Sequence, residues 1–88
     1  MIHIVYTSGF LRQYDKLPER LKDEAKEKIR LFQENPRHLF LKTHKLKGRI
    51  RKYFSFYVNY KYRIVFEYDS KNRVALLWVG DHDVYEIK

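Results

Sequence analysis

Tyr53-Phe54-Ser55-Phe56-Tyr57-Val58-Asn59-Tyr60-Lys61-Tyr62-Arg63-Ile64-Val65-Phe66-Glu67-Tyr68 is the stretch on which the fold turns. β-Branched and aromatic residues fill both halves, and Asn59-Tyr60-Lys61 interrupts them, the pattern of a β-hairpin. If those three residues form the loop, Val58 stands opposite Tyr62, Tyr57 opposite Arg63 and Phe56 opposite Ile64. Phe54, Phe56, Val58, Tyr62, Ile64 and Phe66 then share one apolar face, and Tyr53, Ser55, Tyr57, Arg63, Val65 and Glu67 share an exposed one. A two-residue loop would set Arg63 and Glu67 beside Phe54 and Phe56, burying ions without good partners. The three-residue loop is therefore the expected one.

Downstream, Asp69-Ser70-Lys71-Asn72 is a turn into a third strand at about Val74 to Val79. Upstream, Ile2 to Tyr6 is a short strand ended by Thr7-Ser8-Gly9. Ser8 is placed to cap a helix in which Phe10, Tyr14 and Leu17 recur at helical spacing, and Pro18 suits the first turn of a second helix. There Leu21, Ala25, Ile29 and Phe32 make one apolar stripe, with Glu19, Lys22, Asp23, Lys26, Glu27 and Arg30 outside. Asn35-Pro36 ends it, since a residue before proline is pushed out of the helical region. The expected fold is α+β: an N-terminal strand, an αα-hairpin, a basic connection and a three-stranded antiparallel meander, forming one sheet with helices packed on one face. With 88 residues there is core enough for a single domain, residues 1–88, and no second one.

The formal net charge is +8, and its placement says more than its size. Arg37, Lys42, Lys45, Lys47, Arg49, Arg51, Lys52, Lys61 and Arg63 lie in a stretch without a single acid. The remaining 10 bases are set against all 11 acids. A segment so free of carboxylates attracts phosphates, so Lys42, Lys45, Lys47, Arg49, Arg51, Lys52 and Lys61 are candidate RNA-binding residues. The plainer alternatives are a solvated face or a dock for an acidic protein. Absence of cysteine removes disulfides, thiol catalysis and thiolate zinc, and fits a reducing cytoplasm. The start of the chain lacks a signal-peptide pattern, and no apolar run reaches the roughly 20 residues of a membrane helix.

Cleaving RNA without a metal needs a base for the 2′-hydroxyl, a cation for the phosphorane and an acid for the departing 5′-oxygen. Arg63 suits the middle role, because its planar fork meets two phosphate oxygens and stays charged; its ordinary alternative is a salt bridge to Glu67. Off the last strand, Gly80-Asp81-His82-Asp83-Val84-Tyr85 offers His82 as acid, with Asp81 and Asp83 favouring its protonated form. Tyr85 can stack or donate a proton. The four histidines, His3 and His44 among them, lack metal-ligand spacing, and three glycines build no phosphate loop. No metal or cofactor is expected.

Taken in order, His44-Lys45-Leu46-Lys47-Gly48, Tyr62-Arg63-Ile64-Val65-Phe66 and Gly80-Asp81-His82-Asp83-Val84-Tyr85 resemble the RelE/ParE toxin superfamily over almost the whole chain. The likeness leans to the RelE, YoeB and YafQ type, ribosome-dependent endoribonucleases acting on mRNA in the ribosomal A site. It implies a toxin held in check by a cognate antitoxin, with Arg63, His82 and Tyr85 at the site and His44 matching a histidine of YafQ-like members. Two departures stand out. Phe54 and Phe56 occupy the strand where RelE carries lysines, and Tyr57 stands where YafQ-like members carry a second histidine. The base is thus Tyr57 or His44. The other functional classes are a ParE-like binder of DNA gyrase that cleaves nothing and a basic RNA-binding module.

Overall fold

A computed structural model describes residues 1–47 and 52–81. β1 (His3–Tyr6) leads into α1 (Ser8–Asp15) and α2 (Glu19–Glu34), followed by a 3-10 turn, Leu39–Leu41. β2 (His44–Lys45), β3 (Phe54–Tyr57), β4 (Tyr62–Ser70) and β5 (Arg73–Asp81) complete the chain. The five strands form one sheet in the order β1-β5-β4-β3-β2, with β1 parallel to β5 and every other pair antiparallel. The α+β class expected from the sequence is found.

The hairpin register is the one that the three-residue loop demands: Tyr57 faces Arg63, Phe56 faces Ile64 and Phe54 faces Phe66. Asn59 makes the loop. Its side-chain oxygen accepts from the backbone N–H groups of Lys61 and Tyr62 at 2.9 and 2.8 Å, while its amide donates to Glu24 on α2 at 3.0 Å. An asparagine bonding its own chain two residues ahead replaces a backbone turn bond. Between β4 and β5 only Lys71 and Asn72 turn, since Ser70 already pairs with Arg73.

Phe10, Ala25, Ile29 and Phe32 from the helices meet Phe56, Val58, Ile64, Phe66, Val74, Leu76 and Val79 from the sheet. Phe32 sits at the centre, stacked on Phe56 at 4.6 Å and edge-on to Phe66 at 4.8 Å. Both helices thus seal the face assigned to them.

Four expectations change in detail. Helix α1 is capped by Thr7, not Ser8: the threonine hydroxyl accepts from the Phe10 N–H at 3.2 Å and donates to the Leu76 carbonyl at 2.7 Å, tying the helix start to β5. Pro18 takes the cap position of α2 rather than lying inside its first turn. The basic connection contains an edge strand, β2, with His44 opposite Ser55 and Lys45 opposite Phe54. The face expected to be exposed is substantially covered, for Ser55, Arg63 and Val65 are all buried. Tyr53 and Trp78 flank the Ser55–Val65 row and meet edge to face at 5.5 Å. A second, thinner aromatic layer therefore lies on the side away from the helices.

Candidate functional site

Arg63 as a residue is only 8% exposed, on a strand that the β3–β4 register fixes opposite Tyr57. Desolvating a cation is costly unless dipoles or rings replace water. Three groups do so. One terminal nitrogen donates to the carbonyls of Asn59 at 2.9 Å and Tyr62 at 3.2 Å, and the plane lies over the Tyr57 ring at 3.5 Å. No ion pair joins Arg63 to a described residue, so the ordinary alternative, a bridge to Glu67, is not formed. Neutral partners hold the cation in place, and no described carboxylate compensates its charge, a state that attracts an anion.

Lys42 adds a second cation at the same ring, its ammonium 5.6 Å from the Tyr57 centroid. It ends the 3-10 turn in the left-handed region, φ 47°, the one described residue other than glycine with positive φ. Such a conformation in a lysine costs on the order of 1 kcal/mol and points to a geometric demand at that position.

His44 lies on the same sheet face. It pairs with Ser55, whose neighbour two residues on is Tyr57, so the Cα atoms of His44 and Arg63 are about 12 Å apart by strand spacing and rise. Both residues thus stand on the face that carries Ser55 and Tyr57. The His44 Nδ1 lies 2.9 Å from the Lys42 carbonyl, and a carbonyl only accepts, so Nδ1 carries a proton. In the neutral ring Nε2 is then the basic nitrogen, 3.5 Å from the Ser55 hydroxyl.

The other bases do not all gather on this face, though Lys52, over Tyr53, shares it. Lys45 alternates to the Phe54 side, where it lines a cleft with Arg37, His38 and Tyr68. Lys61 rests over Tyr62 at 5.8 Å and Lys52 over Tyr53 at 5.3 Å, while Lys47 is exposed beyond β2. His3 is on β1, at the opposite sheet edge. Arg49, Arg51, His82 and Tyr85 lie outside the described residues. Among the described residues no group of three or more His, Cys, Asp or Glu side chains could hold a metal ion, and no helix is long and apolar enough to cross a membrane. Burial, with Tyr14 adding to it, holds the Tyr6 phenol above its ordinary value, but Tyr6 is on β1, two strands away from β4.

Two contributors escaped the sequence reading. Asn59 supplies the carbonyl under Arg63 as well as the loop bonds, and Ser55 shares a bond with His44. An Asn at a hairpin tip signals a turn in any sequence, and a serine in a strand signals nothing by itself.

No protein-family model and no curated protein matches the sequence. Solved structures do match. A YoeB/ParE toxin from Agrobacterium tumefaciens is 21% identical, covering 92% of this chain and 99% of that one, with a TM-score of 0.75. The RelBE2 toxin-antitoxin complex of Mycobacterium tuberculosis matches at 20% identity over 92% and 98%, TM-score 0.77. YafQ from E. coli matches at 16% over 96% and 97%, TM-score 0.78. This chain thus has the fold of the RelE/ParE-like toxin superfamily.

Proposed function

We propose that the chain is the toxin of a toxin-antitoxin pair and acts as a metal-independent endoribonuclease on mRNA, within the ribosomal A site. The observation that carries this is Arg63: a guanidinium held by two carbonyls and a ring, and by no carboxylate of a described residue. The solved relatives named toxins, one of them in complex with an antitoxin, support the partner half of the reading.

In the proposed reaction Nε2 of His44 takes the proton of a ribose 2′-hydroxyl, whose oxygen attacks the adjacent phosphorus. Arg63 stabilises the charge that develops on the phosphorane oxygens. His82 protonates the departing 5′-oxygen, leaving a 2′,3′-cyclic phosphate and a free 5′-hydroxyl. Tyr57 serves as the platform for Arg63 in this scheme, which favours His44 as the base. Tyr85 stacks on a base near the cut, and Lys42, Lys45, Lys47, Arg49, Arg51, Lys52 and Lys61 hold the flanking phosphates.

The test is to induce the protein in translating cells and map new mRNA ends, beside a gyrase supercoiling assay. New ends carrying 5′-hydroxyls with the wild type, and far fewer with Arg63→Ala or His82→Gln, are expected. Inhibited supercoiling without RNA cuts would overturn the nuclease reading in favour of a gyrase-binding one.

A further inference from the structure

Beside the Tyr57–Arg63 pair the surface carries three large apolar side chains that the fold leaves outside: Leu39 is 77% exposed, Phe40 67% and Tyr60 87%. Single exposed apolar residues are ordinary, but these three converge. With Lys28, Lys42, Tyr57, Val58 and Asn59 they line a cleft of about 360 Å³, within the range of small-molecule sites. Its walls are held from both sides. The His38 ring accepts from the Phe40 N–H at 3.1 Å and meets the Phe40 ring at 4.9 Å, while Asn59 fixes the loop that carries Tyr60.

The lining contains two lysines, three aromatic rings and no carboxylate. Lys28 spends part of its bonding on the Val58 carbonyl at 3.0 Å, and Lys42 stands over Tyr57. Rings next to cations and free of acids are the equipment of single-stranded nucleic-acid sites, where bases stack on aromatic faces and phosphates meet lysines. An acidic amphipathic peptide would satisfy the lysines and the apolar walls too. Continuity decides for RNA: Tyr57 lines this cleft and carries Arg63 on its ring, so a base seated here adjoins the phosphate under the guanidinium.

We propose that the cleft between the 3-10 turn and the β3–β4 loop is a nucleobase subsite for single-stranded RNA, in which Phe40 and Tyr60 stack on the base next to the phosphate that Arg63 holds. This rests on Arg63 as the phosphate ligand of the nuclease reading. The probe is a fluorescent RNA hexanucleotide with 2′-O-methyl groups, which binds without being cut, measured by anisotropy. Phe40→Ala and Tyr60→Ala each weaken it at least about fivefold, the scale of one lost stacking contact, whereas Phe40→Trp and Tyr60→Phe keep the affinity. A hexanucleotide with one abasic position over the cleft binds wild type and the double alanine variant alike. Because both side chains are exposed, thermal stability should not change.

Equal affinity of the alanine variants and wild type for the intact hexanucleotide overturns the subsite. So does retained RNA affinity with lost binding of a peptide bearing glutamates on one face and leucines on the other, which assigns the cleft to a protein. Cleavage is scored separately with Arg63→Ala: full cutting by that variant overturns the nuclease reading, whereas the anisotropy arms decide the subsite.

Discussion

At Arg63 the same three contacts that make the cation tolerable in a buried position also make it available. Backbone carbonyls and a ring stabilise the charge without neutralising it, so in the proposed reaction a phosphorane would meet a donor already oriented. Arg63→Ala is expected to lower mRNA cleavage at least tenfold, and about a hundredfold or more if both forks engage the transition state, measured as kcat/KM. Arg63→Lys should fare little better, because a point charge cannot bond two oxygens in one plane. For the proposed base, His44 and Tyr57 make opposite predictions. His44→Gln keeps a donor for the Lys42 carbonyl but has no basic nitrogen, so cleavage should fall roughly 10²-fold with KM little changed. Tyr57→Phe keeps the ring under Arg63 and removes only the phenol. Its cleavage should stay within a few fold of wild type, and a loss as deep as that of His44→Gln would make Tyr57 the base. The place of Arg63 on its strand, opposite Tyr57, was legible in the sequence, though its burial was not. Its neutral partners were not, since they are carbonyls supplied by a loop and any residue carries one.

Among the elements, the hairpin was legible down to its register because a slip by one would have buried Arg63 and Glu67 among phenylalanines. The stripe on α2 was legible for the same reason, namely that burial imposes a period. Two-residue β2 had no period to read: lysine and histidine on an edge strand look like loop, and only Ser55 and Phe54 across from them make it a strand. The helix start was misplaced by one residue because Thr7 and Ser8 are both good caps, and the choice fell to the one whose hydroxyl also reaches the Leu76 carbonyl. That double bond gives a prediction. Thr7→Ala should cost about 1–2 kcal/mol and lower Tm by several degrees, whereas Thr7→Ser, which keeps the hydroxyl, should recover most of it. Calorimetry on the two variants checks this, and equal losses would show that the methyl group rather than the hydroxyl matters. Neither change touches the candidate site, so cleavage per folded molecule should be unaltered.

On the scale of the whole molecule the strand order turns a run in the sequence into a region of the surface. The acid-free segment from Arg37 to Arg63 becomes the 3-10 turn, β2, β3 and the start of β4, one side of the sheet, while β1 closes the other. The bases point several ways from that side, Lys45 to the helix face and Lys52 and Lys42 to the other, so together they surround an edge instead of tiling a plane. Lysine on an edge strand also discourages pairing with a foreign strand, which is a sufficient reason for Lys45 and Lys47 in a protein that never meets RNA. Salt separates the two explanations. Each phosphate neutralised on a single strand contributes about 0.7 to the slope of log affinity against log salt concentration. Replacing Lys42 and Lys47 by Gln should therefore weaken binding of a single-stranded RNA and flatten that slope by about 1.4. The control is Lys26→Gln with Arg30→Gln, two exposed cations on α2 that line a different cleft with Tyr6 and Phe10. The control removes the same net charge and should leave the slope nearly unchanged. Equal flattening in both double variants would mean that RNA senses only the overall charge of +8, and no flattening in either would return the basic edge to its role against strand pairing.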